Sequence, residues 1–344
     1  MVHATYQDSL REAEKLSKAL GEFVEAPTEG SLAAAKEAWI AARIPYLQTE
    51  AFRFYAGPID DADGPEPMIN GWPIDEYHID GVAGAPNAGI INDPKTFPTI
   101  TRELIERMNE RAGETAITSG FHAIEFLLWG QDFSAEGPGE RPFSDYTTAL
   151  HADRRGTYLL ACGESLAGHL RSLVEAWAPD DEKNFRAQFE ALPPREAARD
   201  LIYGLHAMSG KELAGERLLV AWDTQDQEDE HSCFSDTTHL DMKYDALGLE
   251  NVYRGRYRTL DGDFLVGNGV RALVRALFLK EVEEFDQKIQ SARAAIDEIP
   301  VPFDQAILGE DEDSGRKAIL EAVIHLEDFA AMMARLQQAV VSAP

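Results

Sequence analysis

Residues 119–132, SGFHAIEFLLWGQD, are almost continuously apolar, yet His122 and Glu125 stand inside them three positions apart. Residues three apart on a helix share a face, so an imidazole nitrogen and a carboxylate oxygen would converge on one point. That donor pair suits zinc, iron, copper or manganese. It also suits acid–base work, because a neighbouring carboxylate favours the charged imidazole. Gly120, one turn before Ile124, would let another backbone come close. The plainer alternative is a satisfied hydrogen bond at a domain surface. With this composition roughly one or two His-x-x-Asp/Glu spacings are expected by chance, and a second, His325 with Asp328, is assigned no role. What separates the first pair is its setting, since ionised groups are rarely buried unless paired or metal-bound.

A metal on this helix would need donors from elsewhere. The polar stretch 226–241 offers Asp226, Glu228, Asp229, Glu230, His231, Cys233, Asp236, His239 and Asp241. Most of these are expected in a solvated acidic loop. His231 and His239 carry more weight, because loops hold a disproportionate share of binding residues. Trp39, Arg43, Tyr46 and Glu50 fall on one helical face. They form either an aromatic core stripe with a partly exposed ion pair, or a face from which Arg43 or Glu50 reaches His122. The spacing is not that of a zincin, which needs two His four apart. The acidic stretch lacks the turn glycine of a calcium-binding EF-hand loop. No nucleophile elbow, P-loop or dinucleotide turn is present. Cys233 lies near His231 and His239, but the surrounding carboxylates oppose the lowered pKa a nucleophilic thiol needs.

Apolar periodicity predicts the elements that position these residues. Helices are expected over 4–22, 30–54 with a kink at Pro45, 97–130 with a break at Gly113, 144–177, 194–208, 211–223, 263–296 and 312–341. Residues 56–96 are rich in Gly, Pro, Asn and Asp; their Trp72, Ile74, Tyr77, Ile79, Ile90 and Ile91 argue for an ordered, packed excursion. A polar loop is expected over 131–143. The one strand candidate lies around Val252 to Tyr257. The fold class is therefore all-α, two helical bundles built as pseudo-duplicated, four-helix-bundle-like halves with long irregular loops at their interface, one over 1–178 and the other over 179–344. GFHA at 120–123 and GLHA at 204–207 echo one another, with Ser209 where the first copy has Glu125.

The 344 residues carry a net charge of −29, with 61 Asp and Glu against 32 Lys and Arg. Such a surface repels nucleic acid and anionic lipid and favours cations or basic partners. No apolar window is long enough to span a membrane. The start, MVHATYQDSL, lacks the basic flank and apolar core of a signal peptide, so the expectation is a cytoplasmic chain or one whose leader has been replaced. Cys162 and Cys233 allow one disulfide at most.

GFHAIE with the following FLLWGQD, WIAARIPYLQTEAFRFYAGPID at 39–60 and NGWPID at 70–75 resemble the imelysin family. SGKELAGERLLVAWDTQDQEDEHSCFSDTTH at 209–239 resembles its iron-regulated protein A branch. The resemblance implies two all-helical bundles with a pseudo-repeat and a site at the interface of the halves. It implies an exported bacterial protein, periplasmic or attached to the outer membrane through a lipid, that works with partner proteins in iron uptake. His122 and Glu125 are then the metal-binding motif residues, and Gly120 is its structural residue. The expected ligand is iron or a small iron-bearing molecule, with zinc second. His231 is the loop donor to add first, and Arg43, Tyr46, Glu50, Asp236 and His239 would surround the site. A metallopeptidase, after the activity the family is named for, and a scaffold that binds no metal are the alternatives.

Overall fold

A computed structural model of the chain describes residues 1–134 and 136–342. It is predominantly helical, with one short hairpin among the described residues, as the sequence periodicity requires. The principal helices are α1 (Val2–Glu25), α2 (Glu29–Leu47), α3 (Gly120–Trp129), α4 (Ala152–Ala176), α5 (Pro194–His206), α6 (Thr238–Arg254), α7 (Val282–Asp297) and α8 (Ser314–Ser342). By backbone packing the chain forms two compact units. One comprises Ser9–Arg43 and Pro65–Ser172; the other comprises Met1–Asp8, Ile44–Gly64 and Leu173–Pro344. We call them the motif unit and the C-terminal unit. Where the sequence suggested a single joint near residue 178, residues 44–64 of the first half pack with the C-terminal unit.

In the motif unit, α1 buries Ala13, Leu16, Leu20 and Phe23 at steps of three and four. Thr28 opens α2, its hydroxyl accepting from the Ser31 N–H at 3.1 Å. Pro45 does not kink a long helix; it stands two residues before the end of α2, and a 3-10 turn, Glu50–Phe52, follows. The expected helix over 97–130 is two helices, Arg102–Met108 and α3. The break is wider than Gly113 because Asn109 holds an alternative backbone path. Its Oδ1 accepts from the Thr118 N–H at 2.8 Å, and its Nδ2 donates to the Pro67 carbonyl at 2.9 Å. α4 begins at Ala152 rather than 144, after a 3-10 turn over Phe143–Tyr146 and a left-handed His151. The 56–96 excursion is ordered through buried Ile59, Ile69, Ile79, Ile90 and Ile91. Tyr77, by contrast, is exposed, and Trp72 and Ile74 are only partly covered. Asp80 clamps this excursion to α4: both its oxygens accept from Arg155, at 2.6 and 3.0 Å.

In the C-terminal unit, the expected break at 209–210 does not occur. α5 runs on as a π-helical stretch, Ala207–Leu219, and then as α-helix to Thr224. α6 lies where a polar excursion was expected; its buried Met242, Ala246, Leu249, Val252 and Tyr253 supply the helical spacing beneath a charged surface. Of the strand candidate, residues Val252 to Arg254 close α6, and only its end enters β1 (Arg256–Arg258), which pairs antiparallel with β2 (Phe264–Val266). β2 replaces the start of the helix predicted over 263–296, which instead comprises Arg271–Leu277 and α7. Among the described residues no helix is long and apolar enough to cross a membrane. Cys162 and Cys233 are buried thiols, not a disulfide.

Candidate functional site

Every residue of α3 is buried. Ten buried residues leave little solvent for backbone polar groups, so side chains of neighbouring elements complete them. Trp39 Nε1 donates to the Phe121 carbonyl at 2.9 Å, and the Tyr146 hydroxyl donates to Leu127 at 2.7 Å. Tyr158 donates to Thr118, just before the helix, at 2.7 Å. Gly120 begins the helix at φ +85°. A Cβ there would lie 2.6 Å from the Ile69 carbonyl oxygen, so the position requires glycine both for its dihedral and for the closeness of the Met68–Ile69 backbone. This is the close backbone approach that Gly120 implied in the sequence.

The helix brings its two ionisable side chains together. His122 Nδ1 lies 3.0 Å from Glu125 Oε2, with 1% and 0% of the side chains exposed. With the carboxylate ionised, the imidazole donates through Nδ1, and in the neutral ring the lone pair then lies on Nε2. Glu125 thereby fixes both the tautomer and the tilt of the ring.

His231, in the C-terminal unit, is prepared in the same way. Its Nδ1 stands 2.8 Å from Asp241 Oδ2, both side chains are 1% exposed, and the Ser232 hydroxyl donates to the same oxygen at 2.5 Å. The segment from Glu230 to Ser235 is buried rather than a solvated loop; the solvated acids are Asp226 and Glu228. Asp236 takes a left-handed backbone conformation and is half-buried. Burial pushes the His239 imidazole below its ordinary pKa, although the Asp241 charge and a hydrogen bond involving the Asp236 backbone pull the other way.

Arg43, Tyr46 and Glu50 serve different surroundings. Arg43 belongs to the motif unit, donates to Asn70 Oδ1, and lies over the rings of Trp39 and Phe121 at 5.5 and 5.1 Å. Glu50 is fully buried in the C-terminal unit, where Oε2 accepts from Arg217 at 2.5 Å and Arg53 at 2.8 Å. Arg217 also donates to Asp245 at 2.7 Å and Glu212 at 2.9 Å. Burial alone would raise the Glu50 pKa, but Arg53, Arg217 and a hydrogen bond from Tyr46 hold it well below the usual carboxylate range. The exposed-pair alternative for this face is therefore replaced by a buried ion cluster. Sequence reasoning missed Arg53, Glu212, Arg217 and Asp245. A signal existed for Asp245, which falls in the buried register of α6, three after Met242 and four before Leu249.

An imidazole held by a carboxylate on one nitrogen and presenting the other is the usual dress of a metal-ligating histidine. Imidazole and carboxylate donors suit iron. Among the described residues, however, no three His, Cys, Asp or Glu side chains stand together as a metal-holding group. The chemistry of the donors fits iron.

Comparison with known proteins gives the family and the fold. The chain is 27% identical over 319 residues to Iron-regulated protein A of Synechococcus elongatus, an alignment covering 90% of this chain and 75% of that one. Its fold matches the crystal structure of a protein described as an iron-regulated protein A precursor from Parabacteroides distasonis, with a TM-score of 0.74, 18% identity, and coverage of 98% and 91% of the two chains. An imelysin-like protein from Psychrobacter arcticum matches with a TM-score of 0.63 at 14% identity, over 96% and 89% of the chains. The sequence profile of Imelysin matches residues 2–333, and the chain belongs to the imelysin family.

Proposed function

We propose that this protein binds iron, carried as a small iron-bearing ligand, and that His122 is its principal protein donor. The observation that carries the reading is the 3.0 Å contact between His122 Nδ1 and Glu125 on a helix with no exposed residue. Burying an imidazole and an acid in that helix is costly unless the pair has work to do. Glu125 orients the ring, and Nε2 is the nitrogen offered to the metal. His231, oriented by Asp241, is the second imidazole candidate. The name of the Synechococcus relative, Iron-regulated protein A, supports a role in iron physiology. The net charge of −29 favours the approach of a cation. Function in iron uptake, in the periplasm or associated with an outer membrane, is part of the same proposal.

The test is an equilibrium titration of the purified protein with ferric iron, offered as hydrated ion and as citrate chelate. We expect saturable binding by wild type. His122→Ala should weaken it by about 10- to 100-fold or more, the scale at which oriented donors matter, and Glu125→Gln should weaken it less than Glu125→Ala. Far-UV circular dichroism establishes that each variant is folded. Wild-type affinity in folded His122→Ala removes the reading.

A further inference from the structure

The β1–β2 hairpin carries a second, unrelated site. Arg256 stands opposite Val266, and Arg258 opposite Phe264. Opposed residues in an antiparallel pair share a face, so two arginines and two apolar side chains point the same way. All four are exposed, Phe264 by 54% and Val266 by 74%. The guanidinium carbons lie 4.8 and 5.9 Å from the centre of the Phe264 ring. The hairpin is firmly placed within its unit: the Tyr257 hydroxyl and the Leu260 N–H both donate to Asp8 Oδ2, at 2.8 and 2.9 Å.

Beside this face lies a groove of about 620 Å³, lined among others by Arg256, Arg258, Phe264, Leu247, Asn251 and Arg293. Arg293 is held by Glu250, which also accepts from Arg254. Among the described residues Arg256 and Arg258 have no carboxylate partner, in a chain with 61 acids to 32 bases. The acids of the hairpin turn, Asp261 and Asp263, do not line the groove. Leaving two cations uncompensated at an open cleft, pre-stacked on one aromatic ring, is the arrangement that recognises an anion.

The spacing narrows the class. Alternate residues of a strand are about 6.5–7 Å apart, so the two guanidiniums meet two anionic groups better than one. We propose that this groove binds a small organic polycarboxylate, with one carboxylate on Arg256, another on Arg258, and the carbon skeleton against Phe264 and Leu247. The proposal does not depend on iron binding at His122.

Isothermal titration of the full-length protein with tricarballylate, a metal-free probe, tests it. Saturable binding is expected, falling at least about tenfold in Arg256→Gln/Arg258→Gln with the loss of two charge-assisted contacts, and unchanged in the charge-matched control Arg111→Gln/Arg275→Gln. In the wild-type protein, tricarballylate should also protect Arg256 and Arg258 from modification by phenylglyoxal, a readout that needs no variant. The proposal is overturned by absence of saturable binding, by equal weakening in the control pair, by unchanged modification rates, or by inorganic phosphate binding as tightly as tricarballylate.

Discussion

At the scale of single residues, substitutions at Gly120 and Glu125 should both destabilise the fold, for different reasons. Gly120→Ala adds a side chain at φ +85° and drives it against the Ile69 carbonyl. It should cost at least about 2 kcal/mol, since strain and overpacking act together, and urea unfolding will show it as a lower midpoint. Glu125→Gln keeps the shape of a carboxyl group and should cost about 1–2 kcal/mol; Glu125→Ala, which strips a buried imidazole of its partner, should cost more. A smaller loss for Ala than for Gln would mean that the pair adds nothing to the fold. The pair itself was legible in sequence, because helical spacing fixes which side chains meet. The direct hydrogen bond between its members was not. Nor was the partnership of His231 with Asp241, ten residues apart, since it depends on how the buried 230–238 segment folds back on α6.

At the scale of elements, the π-helical stretch Ala207–Leu219 is the feature that periodicity could not supply. Its apolar positions resemble those of an ordinary helix, and Ser209-Gly210 reads as an interruption. The structure carries the chain through without one and directs Arg217 to Glu50, Asp245 and Glu212. Arg217→Ala removes the guanidinium that Asp245 accepts from and one of the two that Glu50 accepts from, and should cost about 3–5 kcal/mol. A Glu50/Arg217 double-mutant cycle should give a coupling of about 1–3 kcal/mol; a value near zero would make the cluster incidental. The cluster also sets a pH dependence. The Glu50 carboxyl has a lower pKa in the folded chain than its ordinary 4.5, so the unfolded chain takes the proton first. Its contribution is therefore complete above the ordinary carboxylate range and disappears as pH falls through the depressed folded value. Asp80 acts in the same sense: burial would raise its pKa, but the Arg155 hydrogen bonds and the charges of Arg141 and Arg155 hold it low. Urea midpoints should fall below about pH 4.5, and less steeply in Glu50→Gln/Arg217→Met than in wild type.

At the scale of the whole molecule, apolar periodicity announces the fold class more readily than its partition. The acidic excess left the helical periodicity intact, so most long helices were readable. Strands and the route of residues 44–64 depend on tertiary contacts that no local pattern carries. The net charge of −29 works against compaction through self-repulsion. Raising sodium chloride from about 20 to about 200 mM, which shortens the Debye length to under 10 Å, should therefore raise the melting temperature; a fall would mean that attractive surface pairs dominate. The same field favours the approach of cations, the proposed iron among them, but only a donor can hold it. X-ray absorption at the iron edge of the loaded protein reads that donor directly. The account predicts imidazole scattering in the wild-type spectrum that is lost in His122→Ala, and an oxygen-only iron shell in wild type, or spectra that the substitution leaves unchanged, would contradict it.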